Sequence, residues 1–265
     1  MVDYLIHKFC FSKHEKRLAR CQNYSDNNIL KWKQQTNLTW LQVNKFLNNL
    51  EVFDSQKIKI ILKDILKTHS SLFSKKNLYI TSFGSEGKSG GKIAYELRHS
   101  GLISEDKFIE SWNLSDLPPK SIIIFLEDLI GTGSQSTEYI IEKLNLILNP
   151  SFEAYLLTIC ATPIGIEKVE KKTRFKVLNG ILLTEDKYQN FSDQCNNFSI
   201  KEKEIMRLLN NKLTSTHKPS YDLGLLVTFF YSPPNNAMPI LWKDGYKYDE
   251  NKKWTALIPR KFTVS

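Results

Sequence analysis

The sequence predicts an α/β protein, a mainly parallel sheet with helices on both faces, preceded by an N-terminal helical cap and followed by a C-terminal extension. Three observations carry that prediction. From Asn77 onward, apolar runs such as "SIIIFLE" and "FEAYLLTICA" alternate with helical stretches, the texture of buried parallel strands joined by crossover helices. Residues 1–76 show helical apolar spacings of three and four in two long stretches. The chain has 265 residues, 41% of them hydrophobic, enough for one large core or two modest ones.

The cap comes first. In "NLTWLQVNKFLNNLEVF" the residues Trp40, Val43, Phe46, Leu47 and Leu50 fall on one helix face. Ile58, Ile61, Leu62, Ile65 and Leu66 do the same in "SQKIKIILKDILKTHSSLF", with Asp54 or Ser55 as its cap. Residues 1–76 hold 14 Lys or Arg against 6 Asp or Glu, a net +8 of the chain's +9, which leaves 23 against 22 for the rest. This segment is therefore the place where nucleic acid or an acidic partner would be attracted, although interspersed lysines also make an ordinary solvated face. His7, Cys10, His14 and Cys21 allow a second reading, a zinc site on the first helix, against a plain amphipathic helix.

Residues 77–230 form the expected α/β core. "NLYITSF" reads as a strand, "GGKIAYELRHSG" as a helix ending at Gly101, "SIIIFLE" as a strand, and "SQSTEYIIEKLNLIL" as a helix stopped before Pro150. "FEAYLLTICA" is a strand, "PIGIEKVEKKT" a helix opened by Pro163, "FKVLNGILL" a strand, "IKEKEIMRLLNNKL" a helix, and "DLGLLVTFF" the last strand. Residues 231–265, rich in Pro and Asn, form the extension with short strands. No apolar run reaches the roughly 18 residues of a membrane span. The charged start "MVDYLIHKFCFSKHEKRLAR" argues against a secretory signal, so a cytoplasmic protein with reduced cysteines is expected and no membrane partner.

The chemistry concentrates in "SIIIFLEDLIGTGSQ". The end of a parallel strand followed by a Gly-rich turn and a helix is where open α/β sheets bind anionic ligands. Gly131 and Gly133 let the main chain approach a phosphate, and Thr132, Ser134 and Gln135 add side-chain donors. Glu127 and Asp128 can accept from ribose hydroxyls or ligate a hard divalent ion such as Mg²⁺. Adjacent acids at a strand end can also be purely structural. A second glycine-rich loop, "FGSEGKSGGK", is two residues too short between Gly84 and Ser89 for an NTPase phosphate loop; it reads as a grip for pyrophosphate through its amides and Lys88, or as a plain turn with a solvated lysine.

The run "IIIFLEDLIGTGS" resembles the signature of type I phosphoribosyltransferases, which hold the 5′-phosphate of phosphoribosyl pyrophosphate in a Thr-Gly loop. The resemblance implies that Glu127 and Asp128 meet the ribose 2′ and 3′ hydroxyls and that Gly131, Thr132, Gly133, Ser134 and Gln135 wrap the phosphate. It makes Ser85, Glu86, Gly87, Lys88 and Ser89 the pyrophosphate loop, with Lys88 acting beside the two acids in catalysis and Mg²⁺ arriving on the ligand's phosphates and hydroxyls. Gly131 and Gln135 depart from the usual small residue and Thr or Ser.

Taken with "SPPNNAMPILW" and "WTALIPR", these motifs are similar to the phosphoribosyltransferase-like family of bacterial conflict systems, found beside reverse transcriptases in some retrons and in other anti-phage loci. The similarity covers most of residues 28 to 260. It implies a defence effector acting on nucleotides or nucleic acid, with a ribose-phosphate or nucleotide ligand, a retron reverse transcriptase with its DNA or RNA as partner, and an oligomer as one possible state. Asn235, Asn236 and Trp242 would form a hood over the base or acceptor, unless they are a structural turn that buries Trp242. A catalytically weak nucleotide-sensing or nucleic-acid-docking module of the same fold is the alternative to an enzyme, and a transcription regulator a third class.

Overall fold

The computed structural model describes residues 2–84, 89–214, 223–246 and 253–260. The chain runs through α1 (Val2–Cys10), α2 (Ser12–Leu18), α3 (Asn28–Thr36), α4 (Trp40–Asn49), β1 (Glu51–Phe53), α5 (Ser55–Thr68), α6 (Ser70–Phe73), β2 (Leu78–Ser82) and α7 (Ser89–His99). It continues through β3 (Ile122–Ile130), α8 (Ser134–Tyr139), a π-helical turn (Ile140–Leu144), α9 (Asn145–Ile147), β4 (Glu153–Ala161), α10 (Pro163–Lys172) and β5 (Lys176–Leu182). Last come α11 (Ile200–Leu213), β6 (Val227–Phe229), α12 (Pro239–Trp242), β7 (Gly245–Tyr246) and β8 (Lys253–Trp254).

These elements form two compact units, Ser55–Leu183 and the combination of Met1–Asp54 with Thr184–Ser265. That division differs from the segments 1–76, 77–230 and 231–265 read in the sequence. The reason lies in α5. Its buried stripe, Ile58, Ile61, Leu62 and Ile65, packs on the sheet, so close that a Cβ on Gly180 of β5 would stand 2.2 Å from Ile61 Cγ2. Periodicity identified the helix and its apolar face but not the partner of that face.

The Ser55–Leu183 unit is a four-stranded sheet in the order β2-β3-β4-β5, parallel throughout. Every residue of β3 is buried, as a central strand covered on both faces requires. Ile123 and Phe125 of β3 join Ala154 and Leu156 of β4 in one core with Ile140, Leu144 and Val169, which puts the π-helical turn and α10 on that face. α5 and α7 pack on each other and on strands of the sheet, tied by Ser55 Oγ donating to Glu96 (2.7 Å) and by Lys59 near the same carboxylate (3.7 Å). A lone parallel bridge, Ile80 with Phe108, extends the β2 edge. α10 begins as the sequence indicates, with Pro163 in the first turn and the Thr162 hydroxyl accepting from the Gly165 amide.

In the other unit, β1 pairs in parallel with β6. "DLGLLVTFF" reads in the sequence as the last strand of the core; among its described residues Val227–Phe229 form the strand, and it pairs with residues read as the end of a helix. Phe53 and Phe229 stack at 4.9 Å between centroids, and Trp32 lies against Phe46 at 4.7 Å. Capping boxes open α4 (Thr39 with Gln42) and α11 (Ser199 with Glu202). The zinc reading loses its ligands to other partners: His7 Nε2 pairs with Glu15 at 2.5 Å and His14 Nε2 with Asn44 at 3.1 Å. Among the described residues no three His, Cys, Asp or Glu gather to hold a metal ion, and no helix is long and apolar enough to cross a membrane.

Candidate functional site

β3 runs buried to its C-terminal end and there carries two acids, Glu127 at 9% and Asp128 at 6% exposure. Glu127 Oε1 accepts from Ser89 Oγ at 2.6 Å and from the Asp128 amide at 3.0 Å. Ser89 reaches it because α7 starts directly on the strand end, an approach that needs Gly90. A Cβ there would meet Leu126 O at 2.3 Å and Phe83 O at 2.6 Å. Burial, and then the negative charge of Asp128, push the Glu127 carboxyl well above the ordinary carboxylate range, only partly offset by the Ser89 hydroxyl. The pair is thus poised to take up hydrogen-bond donors or positive charge.

The Gly-Thr-Gly bend follows. Gly133 takes φ +73, the left-handed conformation that glycine adopts without strain, and caps α8; its carbonyl accepts from the Thr137 amide at 2.9 Å. Since α8 starts at Ser134, the amides of Ser134, Gln135 and Ser136 have no intrahelical acceptor. The first turn of α10 braces the bend from the next strand. Thr162 Oγ1 donates to Gly131 O at 2.6 Å, and Gly165 lies so close that an added Cβ would stand 2.1 Å from that same oxygen. Side chains add polar groups: Thr132 Oγ1 donates to Ser134 Oγ at 3.3 Å, and Lys168 Nζ donates to Ser134 Oγ at 2.7 Å. Thr137 is buried and its hydroxyl has no hydrogen-bond partner.

The structure thus brings together Glu127, Asp128, Ser89 and the bend from Gly131 to Gln135, whose Gln135 side chain is exposed. Ser85, Glu86, Gly87 and Lys88 lie outside the described residues. Asn235, Asn236 and Trp242 belong to the other unit. There Trp242 is buried, donates from Nε1 to Ala237 O at 2.9 Å, and carries the Arg260 guanidinium over its ring at 4.4 Å. Asn235 Oδ1 accepts from Arg260 at 2.5 Å, and Asn236 is half-buried. Trp242 therefore has a structural role of its own.

Sequence reasoning missed Thr162, Gly165, Thr137 and Lys168. A signal existed for the first two, because Thr-Pro at the start of a helix after the neighbouring strand marks a cap at the same sheet end as the bend. Nothing in the linear sequence places Lys168 beside Ser134.

A family described as PRTase-CE matches residues 29–260. Among solved structures, the AQ2163 protein from Aquifex aeolicus overlaps 67% of this chain and 98% of its own, at 11% identity and a TM-score of 0.33. A hypoxanthine-guanine-xanthine phosphoribosyltransferase overlaps 52% of this chain and 81% of its own, at 15% identity and a TM-score of 0.32. No curated protein matches the sequence.

Proposed function

Given that the chain belongs to the PRTase-CE family and is phosphoribosyltransferase-like, we propose that it binds the ribose 5-phosphate portion of phosphoribosyl pyrophosphate at the end of β3 and transfers the ribosyl group. The observation that carries this reading is the convergence of two buried, adjacent carboxylates with a braced Gly-Thr-Gly bend at one sheet end. The free amides of the first turn of α8, the hydroxyls of Thr132 and Ser134, and Lys168 are donors suited to a phosphate monoester. Glu127 and Asp128 are acceptors suited to the ribose diol.

Transfer breaks the bond between ribose C1 and a pyrophosphate oxygen, which leaves with the electron pair, and forms one to a nucleophilic acceptor. The intermediate stage is oxocarbenium-like, so a site that lends negative charge to the ring favours it over the ground state. Asp128 supplies that charge, joined by Glu127 when the ligand's cation draws off its proton, and both fix the ring's orientation, while residues 85–89, with Lys88, would take the departing pyrophosphate. Buried neighbouring carboxylates repel each other, and a divalent cation on the ligand would relieve that repulsion, so the donor set fits Mg²⁺ carried by ligand oxygens with no dedicated protein cage. Mg²⁺ would supply charge neutralisation of the pyrophosphate.

The resemblance in the sequence extends the proposal to an effector of an anti-phage system, associated with a retron reverse transcriptase and its nucleic acid and altering nucleotides or nucleic acid in the cytoplasm. The test is incubation of the protein with phosphoribosyl pyrophosphate, Mg²⁺ and a panel of nucleobases, nucleotides and oligonucleotides, following pyrophosphate release. Release that depends on both Mg²⁺ and one acceptor class is expected. Binding without release for any acceptor would replace the enzyme by a nucleotide-sensing module, and no binding at all would overturn the site.

A further inference from the structure

Four of the fourteen cations of residues 1–76 gather in one place. Lys13, Lys16, Arg17 and Arg20, with His14 and Asn48, line a groove of about 530 Å³ on α2 and the turn after it, and no carboxylate is among the lining residues. Two of these cations are fixed in place. Arg17 donates through Nη2 to Leu47 O and, at 3.5 Å, to His14 Nδ1; Arg20 pairs with Asp54 at 2.5 Å. Arg17 Nε is buried with no hydrogen-bond partner, and burial pulls the guanidinium below its ordinary value against the opposing charge of Glu51. A bound anion would relieve that cost.

Ala19 keeps helical dihedrals, so positions 13, 16, 17 and 20 follow one helical path. At a rise of 1.5 Å per residue they spread over about 10 Å on one helix face, in three levels about one turn apart: Lys13, then Lys16 with Arg17, then Arg20. A row of cations at that spacing suits a chain of phosphates better than a single carboxylate. The lining offers no acid for a ribose diol and no aromatic ring beyond the buried His14, so it has the means to grip phosphates and not to read bases. We propose that this groove binds the phosphodiester backbone of a nucleic-acid strand irrespective of its sequence. The groove lies within the unit that contains Met1–Asp54 and does not depend on the reading of the β3 site.

The experiment is fluorescence anisotropy of the full chain with two labelled single-stranded 12-mers of unrelated sequence, between 50 and 200 mM salt. Both strands are expected to bind alike, with a logarithmic salt slope of about −2 for three phosphate contacts, which weakens binding roughly 16-fold over that range. Lys13 and Lys16 are exposed, so K13Q/K16Q should fold normally, bind about tenfold more weakly at 50 mM salt and show a slope shallower by about 1.4. R20Q is expected to weaken binding in the same direction. Absence of binding, salt-independent binding, or K13Q/K16Q binding as tightly as the parent would overturn the proposal. Displacement of the strand by tripolyphosphate at equal phosphate concentration would overturn the assignment to a strand.

Discussion

Replacing Glu127 and Asp128 together by Ala is expected to lower the affinity for phosphoribosyl pyrophosphate at least 100-fold and to abolish any pyrophosphate release or toxicity that the chain shows. With the ligand's cation beside them both carboxylates ionise; hydrogen bonds to such groups are worth about 1.5–3 kcal/mol each, and the diol offers two donors, so losing both acceptors costs about 3 kcal/mol or more. Calorimetric titration of parent and variant measures it; affinities within about threefold of each other would contradict the role given to the acids. Glu127→Gln separates binding from folding. Below about pH 4.5 the Glu127 carboxyl is protonated in folded and unfolded chains alike and contributes no difference. As pH rises, the unfolded chain ionises first, while the buried group holds its proton or ionises against Asp128, so folding is penalised increasingly above that value. The Gln variant escapes the penalty. Its thermal midpoint at pH 7 should exceed the parent's by about 3 °C or more, on the order of 1–3 kcal/mol, and the difference should shrink toward pH 4.

Gly165→Ala is expected to destabilise the Ser55–Leu183 unit by about 3 kcal/mol or more and to loosen ligand binding at least tenfold. The new Cβ would stand 2.1 Å from Gly131 O and 2.9 Å from Ile130 Cγ2, and the first of these is backbone that cannot swing aside. α10 must retreat from the bend, which breaks the Thr162 to Gly131 hydrogen bond and withdraws Lys168 from Ser134. Gly91→Ala is the control: its Cβ meets nothing within 4 Å and sits inside α7, so it should stabilise by up to about 1 kcal/mol. Thermal unfolding reads both variants. A Gly165→Ala chain that melts with the parent would show that the bend is not braced from α10.

The parts of the fold legible in the sequence are those set by local pattern. Ile122–Leu126 is apolar at every position, as a strand covered on both faces requires; the two acids and the glycine bend follow it in the chain and stay together in space. Pro163 and the Ser199–Glu202 pair mark helix starts by chemistry confined to a few residues. What escaped is long-range. Glu51–Phe53 continues a helical apolar pattern and becomes a strand because Val227–Phe229 pairs with it. The stripe of α5 looks the same whether it packs on a cap or on β5. Lys168 and Thr162 reach the bend only through the pairing of β3 with β4, which sets the ends of the two strands side by side.

A structure of the protein with phosphoribosyl pyrophosphate and Mg²⁺ bound is the most direct measurement of the central claim. It should place the 5′-phosphate within about 3 Å of the Ser134 and Gln135 amides and of Lys168 Nζ, and the ribose hydroxyls within the same distance of the Glu127 and Asp128 carboxylates. A ligand held elsewhere on the chain, with the bend and both acids untouched, would contradict it.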